Sequence, residues 1–151
     1  MWKRILKSES GMTLIEIMVV VTILGIIATI VTVNVLDRLD QAKVSATKTQ
    51  IKNLEVALDE YRRDNGSYPV TEQGLAALIE KPSIGRVPLT YPKGGYLKGG
   101  RVPKDSFSCD FVYYSPGPHG NVYEIISLGS DCQEGGEEVD ADINSWEIGQ
   151  K

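Results

Sequence analysis

Cysteine and histidine are scarce in this chain. Two cysteines and one histidine in 151 residues exclude, by count, a zinc site built from several Cys and His ligands, and leave only oxygen-rich metal sites. Positive charge is not in excess either. Sixteen Lys and Arg against twenty Asp and Glu give a formal net charge of −4, so the basic footprint that nucleic acid requires is missing and no nucleic-acid partner is expected. No nucleophile–base constellation, phosphate-cradling glycine loop or carboxylate pair stands out. The lone imidazole, His119, sits in a Pro/Gly turn and reads as a surface histidine rather than a general base. The chain therefore reads as a non-enzyme. Its length suits one domain with a modest core. Hydrophobic residues at 42% and charged residues at 24% rule out both a polytopic membrane protein and a wholly disordered chain.

These averages conceal an asymmetry. Lys3, Arg4 and Lys7 make the first eleven residues basic, and the twenty residues from Ile17 to Leu36 carry no charge. As a helix that run would span roughly 30 Å, the thickness of a bilayer core. Basic residues ahead of it place the N-terminus in the cytoplasm and the remainder outside. A cleaved secretory signal would have a shorter apolar region ending at an A-x-A-like site. This run is long, β-branched and lacks such a site, so the span is expected to be retained. Glu16 stands at its edge. A carboxylate near a membrane centre costs about 2.5–3.5 kcal/mol on insertion scales, so Glu16 either lies at the interface or awaits a positive partner. A free amine made by cutting after Gly11 would serve. Gly25, inside the run, either permits close helix packing or marks a point where the helix can stretch.

From Asp37 to Asp64 the sequence is polar with helical spacing. Ile51, Leu54, Leu58 and Tyr61 recur at three- and four-residue steps, and good helix formers dominate. No proline or glycine occurs between Ile26 and Asn65, so one continuous helix is predicted, stopped by Asn65-Gly66. Beyond it glycine and proline are frequent and short elements are expected. Thr71 is read as the N-cap of a short helix running to Glu80, and residues 83–105 as a loop. Phe111–Ser115 and Val122–Leu128 are read as strands, joined by Pro116-Gly117-Pro118-His119-Gly120. The fold class is α+β: a long N-terminal helix packed on a small antiparallel sheet.

Asp131 to Asp142 reads DCQEGGEEVDAD, with carboxylates at Asp131, Glu134, Glu137, Glu138, Asp140 and Asp142. Such crowding is either solvated or bridged by a cation. Calcium suits an all-oxygen loop with a Gly135-Gly136 bend, although the DxDxDG core of an EF-hand is absent. Composition by itself favours a solvated acidic loop.

The segment GMTLIEIMVVVTILGIIA (Gly11 to Ala28) resembles the prepilin signature of type IV pilins and type II secretion pseudopilins. The resemblance implies cutting after Gly11 by a membrane prepilin peptidase and N-methylation of Met12, where the family more often has phenylalanine. It also makes Glu16 the assembly glutamate. Further along, SYPVTEQGLAALIEKP, GGYLKGGRVPKD, YYSPGPHG and SLGSDCQEGGEEVDADINSW resemble the type II secretion major pseudopilins. The family then implies a cytoplasmic leader (1–11), a transmembrane and filament-core helix (12–36) and a periplasmic domain (37–151). It also implies a structural calcium ion (Ca2+) held by the Asp131, Asp140 and Asp142 side chains with the Leu128, Ser130 and Val139 carbonyls. Glu137 and Glu138 are expected to be solvated. Implied partners are further copies of the chain, minor pseudopilins, an inner-membrane assembly platform, the peptidase and membrane lipid. Two departures carry the cysteines. Ser106-Phe107-Ser108-Cys109 stands where the family usually has a Pro-Trp-Gly turn, and Cys132 where it usually has glycine. In an oxidising compartment an even count suggests a bridge between them; the alternative is two buried free thiols. Rival functions are an adhesion, motility or DNA-uptake pilin and a non-polymerising calcium-binding periplasmic module. An electron-conducting fibre lacks support, since no aromatic residue lies between Lys3 and Glu60.

Overall fold

A computed structural model describes residues 11–149, apart from the side chains of 30 and 32–34. One helix, α1 (Leu14–Asn65), runs for 52 residues. The predicted uninterrupted helix is therefore present. The chain divides into two compact units, with the boundary between Leu39 and Asp40.

In the first unit the described helical side chains are exposed, Leu14 at 80% and Leu24 at 59% among them. Thr22 Oγ1 donates to the Met18 carbonyl at 2.8 Å and Thr29 Oγ1 to that of Gly25 at 3.0 Å, so these two hydroxyls are satisfied within the helix. Among the described residues no helix is long and apolar enough to cross a membrane. The expected Ile17–Leu36 run lies partly outside the described side chains.

In the second unit α1 turns its predicted stripe inward. Ile51, Leu54 and Leu58 are 0% exposed and Tyr61 is 2%. Each such burial contributes about 1.5–3 kcal/mol. The helix stops as Gly66, at φ 78°, donates its N–H to the Arg62 carbonyl at 2.7 Å. That left-handed closure is easy for glycine. The opposing layer is a sheet of order β1-β2-β3, antiparallel throughout, formed by β1 (Val112–Tyr114), β2 (Glu124–Ser127) and β3 (Ile143–Asn144). Tyr113 pairs with Ile125, and both are buried in the same core as the helix stripe. Leu75 and Leu78 join them from a single 3-10 turn, Leu75–Leu78.

Two sequence expectations need correction. The helix from Thr71 to Glu80 is only that 3-10 turn, and Thr71 does not cap it. Its hydroxyl instead accepts the Ser115 N–H at 2.8 Å and donates to the Ser115 carbonyl at 3.1 Å, tying the segment to the end of β1. The third strand was not foreseen, because two residues next to an acidic stretch leave no alternation to read.

Candidate functional site

At the N-terminal end, Gly11 and Met12 precede α1 and are exposed. Thr13 and Glu16 have the spacing of a capping box. Half of that box is made, with the Glu16 N–H donating to Thr13 Oγ1 at 3.3 Å. The first turn, where the helix dipole favours a negative charge, thus carries Glu16. This local role escaped the sequence reading, although the T-x-x-E spacing could have revealed it.

The C-terminal acidic loop is assembled by its own backbone. Gly129, at φ 62°, and Gly136, at φ 88°, press against Asp140: a Cβ on either would lie 2.2 Å or 2.6 Å from the Asp140 carbonyl oxygen. No side chain fits at these two points. The Ser130 N–H donates to the Val139 carbonyl at 3.1 Å, and the Ser130 hydroxyl donates to the Asp140 carboxylate. Asp131 accepts the Gln133 N–H at 3.0 Å, and Asp142 Oδ2 accepts the Gly135 N–H at 3.0 Å. The second oxygen of Asp142, Oδ1, is buried without a donor. Leu128, directly after β2, leads into the loop. Ser130, Val139 and Asp140 are thus brought together, while Asp131 and Asp142 face separate backbone donors. Among the described residues no group of three or more His, Cys, Asp or Glu has metal-holding proximity. The donor chemistry fits a hard cation, and the orphaned Asp142 oxygen fits one too. Convergence of all three aspartates on one ion would need the loop's side chains to shift from the positions they hold here.

Cys109 and Cys132 form a disulfide with 5.6 Å between Cα atoms, so the expected bridge is present and free thiols are excluded. It joins the segment before β1 to the acidic loop. Two residues beside the sulfurs have left-handed backbones without being glycine: Ser108 at φ 78° and Cys132 itself at φ 57°. Asp105, 5% exposed, organises the same corner. Its Oδ1 accepts the N–H groups of Phe107 and Cys109 at 2.9 and 2.8 Å, and its Oδ2 accepts the Ser127 hydroxyl at 2.6 Å. Nothing in the sequence marks this aspartate as buried.

His119 is a turn residue, as expected, but it is not simply solvated. Its Nδ1 lies 2.9 Å from Oε2 of Glu124, and its ring packs 4.8 Å from that of Trp146. Glu124 is 0% exposed. Oε1 accepts the His119 N–H at 2.9 Å and Asn121 Nδ2 at 2.8 Å. Burial alone would raise the carboxyl's pKa, yet these hydrogen bonds together hold it below its ordinary value of 4.5.

A long helix whose latter half packs on a three-stranded antiparallel sheet, with an acidic loop between the second and third strands, matches the pseudopilin fold. The crystal structure of the major pseudopilin from the type 2 secretion system of enterohaemorrhagic Escherichia coli matches with a TM-score of 0.65 and 35% identity, over 75% of this chain and 90% of that one. Residues 34–146 match the family described as "Type II secretion system (T2SS), protein G", and residues 6–32 the "Prokaryotic N-terminal methylation motif". The type II secretion system core protein G of Pseudomonas aeruginosa is 48% identical over 93% of this chain and 97% of that protein. That of Vibrio cholerae is 46% identical over 95% of each. The chain belongs to the type II secretion protein G family.

Proposed function

We propose that this chain is a structural subunit, not an enzyme, of the type II secretion pseudopilus, a short periplasmic filament that helps drive folded proteins across the outer membrane. The observation carrying this reading is the union in one chain of the methylation motif and the protein G domain, residues 6–32 and 34–146. In this reading residues 1–11 are a cytoplasmic leader and the Ile17–Leu36 run anchors the subunit in the inner membrane. Residues 37–151 fold in the periplasm. The prepilin peptidase cuts after Gly11 and Met12 is methylated. The retained apolar helices then pack as the filament core, where Glu16 neutralises the terminal amine of a neighbouring copy. Minor pseudopilins and the inner-membrane platform are the remaining partners.

A structural calcium ion belongs to the same proposal. Asp131, Asp140 and Asp142 would hold it, with the Leu128, Ser130 and Val139 carbonyls. The orphaned Asp142 Oδ1 supports this. The ion would supply charge neutralisation to a loop with few apolar residues.

The processing test is intact mass of membrane-extracted protein. A chain starting at methylated Met12 is expected, and one still carrying residues 1–11 refutes the processing step. Assembly is tested with Glu16→Ala. The variant should insert normally, since losing a charge favours the bilayer. Its filament yield should collapse, because the partner amine keeps its charge in a low-dielectric core. Wild-type filament yield from this variant refutes the pairing.

A further inference from the structure

Charge in the periplasmic unit is segregated along the chain and across the fold. From Lys81 to Lys104 there are six cations (Lys81, Arg86, Lys93, Lys98, Arg101 and Lys104) and no carboxylate. From Asp105 to Gln150 there are ten carboxylates and no Lys or Arg.

Parts of the two segments, 96–103 and 138–148, line opposite sides of α1. At about 3.6 residues per turn, Gln50, Asn53, Ala57 and Glu60 fall on one side of the buried stripe, and Val44 and Lys48 on the other. The first side forms a cleft of about 710 Å³ with the segment that carries Lys98 and Arg101. In its wall Gln50 has a buried Oε1 that lacks a donor. Val56, also in the wall, is 59% exposed. The second side borders the acidic loop, where Val44 and Lys48 share a cleft of about 300 Å³ with Glu138 and Glu147. Lys98, Arg101, Glu137 and Glu138 are all exposed, and the ion pairs among the described residues include none of them. Glu138 sits at φ 56°, at a bend of the loop outside the proposed calcium ligands.

One side of this unit thus offers an open cationic cleft and the other an exposed pair of carboxylates. Because they lie on opposite sides of α1, one two-fold contact does not bury both at once. They fit head to tail, the arrangement that generates an open helical array. We propose that Glu137 and Glu138 of one copy enter the cleft between α1 and the 96–103 segment of the next, facing Lys98 and Arg101. This rests on the self-assembly reading and adds its interface. The single carboxylate in the cleft wall, Glu60, sets the register by disfavouring a deeper approach of the loop.

The test uses the full-length chain assembled with its secretion components. Arg101→Glu and Glu138→Lys should each lower filament yield roughly tenfold, more at low salt than at high, and the two reversals combined should restore it. Zero-length carbodiimide coupling of mixed isotope-labelled and unlabelled filaments should join Lys98 to Glu137 or Glu138 between copies. Calcium-dependent melting of each variant should match wild type, which separates a lost interface from a lost fold. Filaments unaffected by either reversal, or a loss that the combined variant does not repair, overturn the interface while leaving self-assembly intact. Absence of wild-type filaments overturns the self-assembly reading itself, and the interface with it.

Discussion

Glu124 is fully buried and charged at once, and its three donors all come from the turn that precedes β2. Gly117 makes the arrangement possible, since a Cβ there would lie 2.6 Å from the Glu124 carboxyl carbon. Because the folded pKa of Glu124 is depressed below 4.5, its contribution to stability is fully present above that value and is lost as pH falls through the folded pKa. Melting temperature in calcium-free buffer should therefore drop on acidification below about pH 4.5. Glu124→Gln should lower stability at neutral pH by about 1.5–3 kcal/mol, the usual range for hydrogen bonds to a charged group, and should flatten the acid limb. Equal acid slopes for the two proteins would show that Glu124 is not the group responsible.

Among the elements, the corner between the 105–109 turn and the acidic loop is the most constrained. The Cys109–Cys132 bridge spans 23 residues of sequence, and loop-closure entropy alone gives such a link about 3 kcal/mol. Ser108, next to it, holds φ 78° without glycine's freedom, a conformation costing a non-glycine residue roughly 1–2 kcal/mol. Ser108→Gly should consequently raise the urea midpoint by the equivalent of about 0.5–1 kcal/mol, the gain being trimmed by glycine's greater unfolded-state entropy. Reduction of the bridge should lower it by about 3 kcal/mol. A Ser108→Gly variant less stable than wild type would show that the serine side chain contributes more than its backbone strain removes.

For the whole molecule, the proposed calcium ion would tie the acidic loop to stability. Six carboxylates from Asp131 to Asp142 repel one another, and a cation held only by the folded state stabilises it by mass action. Calcium should raise the melting temperature of the protein, with magnesium having much less effect because it demands octahedral geometry and sheds water reluctantly. Asp131→Ala or Asp140→Ala should remove the shift. Since the bridge can hold the loop closed without an ion, the measurement belongs on oxidised and reduced protein alike. No calcium-dependent shift in either form would leave the loop a solvated acidic turn.

Periodicity and composition determined the long helix, its inward stripe of Ile51, Leu54, Leu58 and Tyr61, its stop at Asn65-Gly66, and the two longer strands. These are local features, written at a spacing of three to four or two residues, so a single chain displays them without knowledge of its neighbours. The signature from Gly11 to Ala28 pointed to the pilin-like superfamily and the segments between Ser67 and Trp146 to the major pseudopilins, because each of these stretches is contiguous. Tertiary structure decided what depends on residues far apart in sequence. It placed Thr71 against Ser115 rather than at a helix start and made a strand of Ile143–Asn144 by pairing it with β2. It buried Asp105 and Glu124 among donors brought in by other segments. A carboxylate's burial is set by what folds over it, and no spacing along the chain encodes that. The same limit applies to the acidic loop: its composition by itself read as a solvated turn, and its backbone course was fixed only where Gly129 and Gly136 close on the backbone of Asp140.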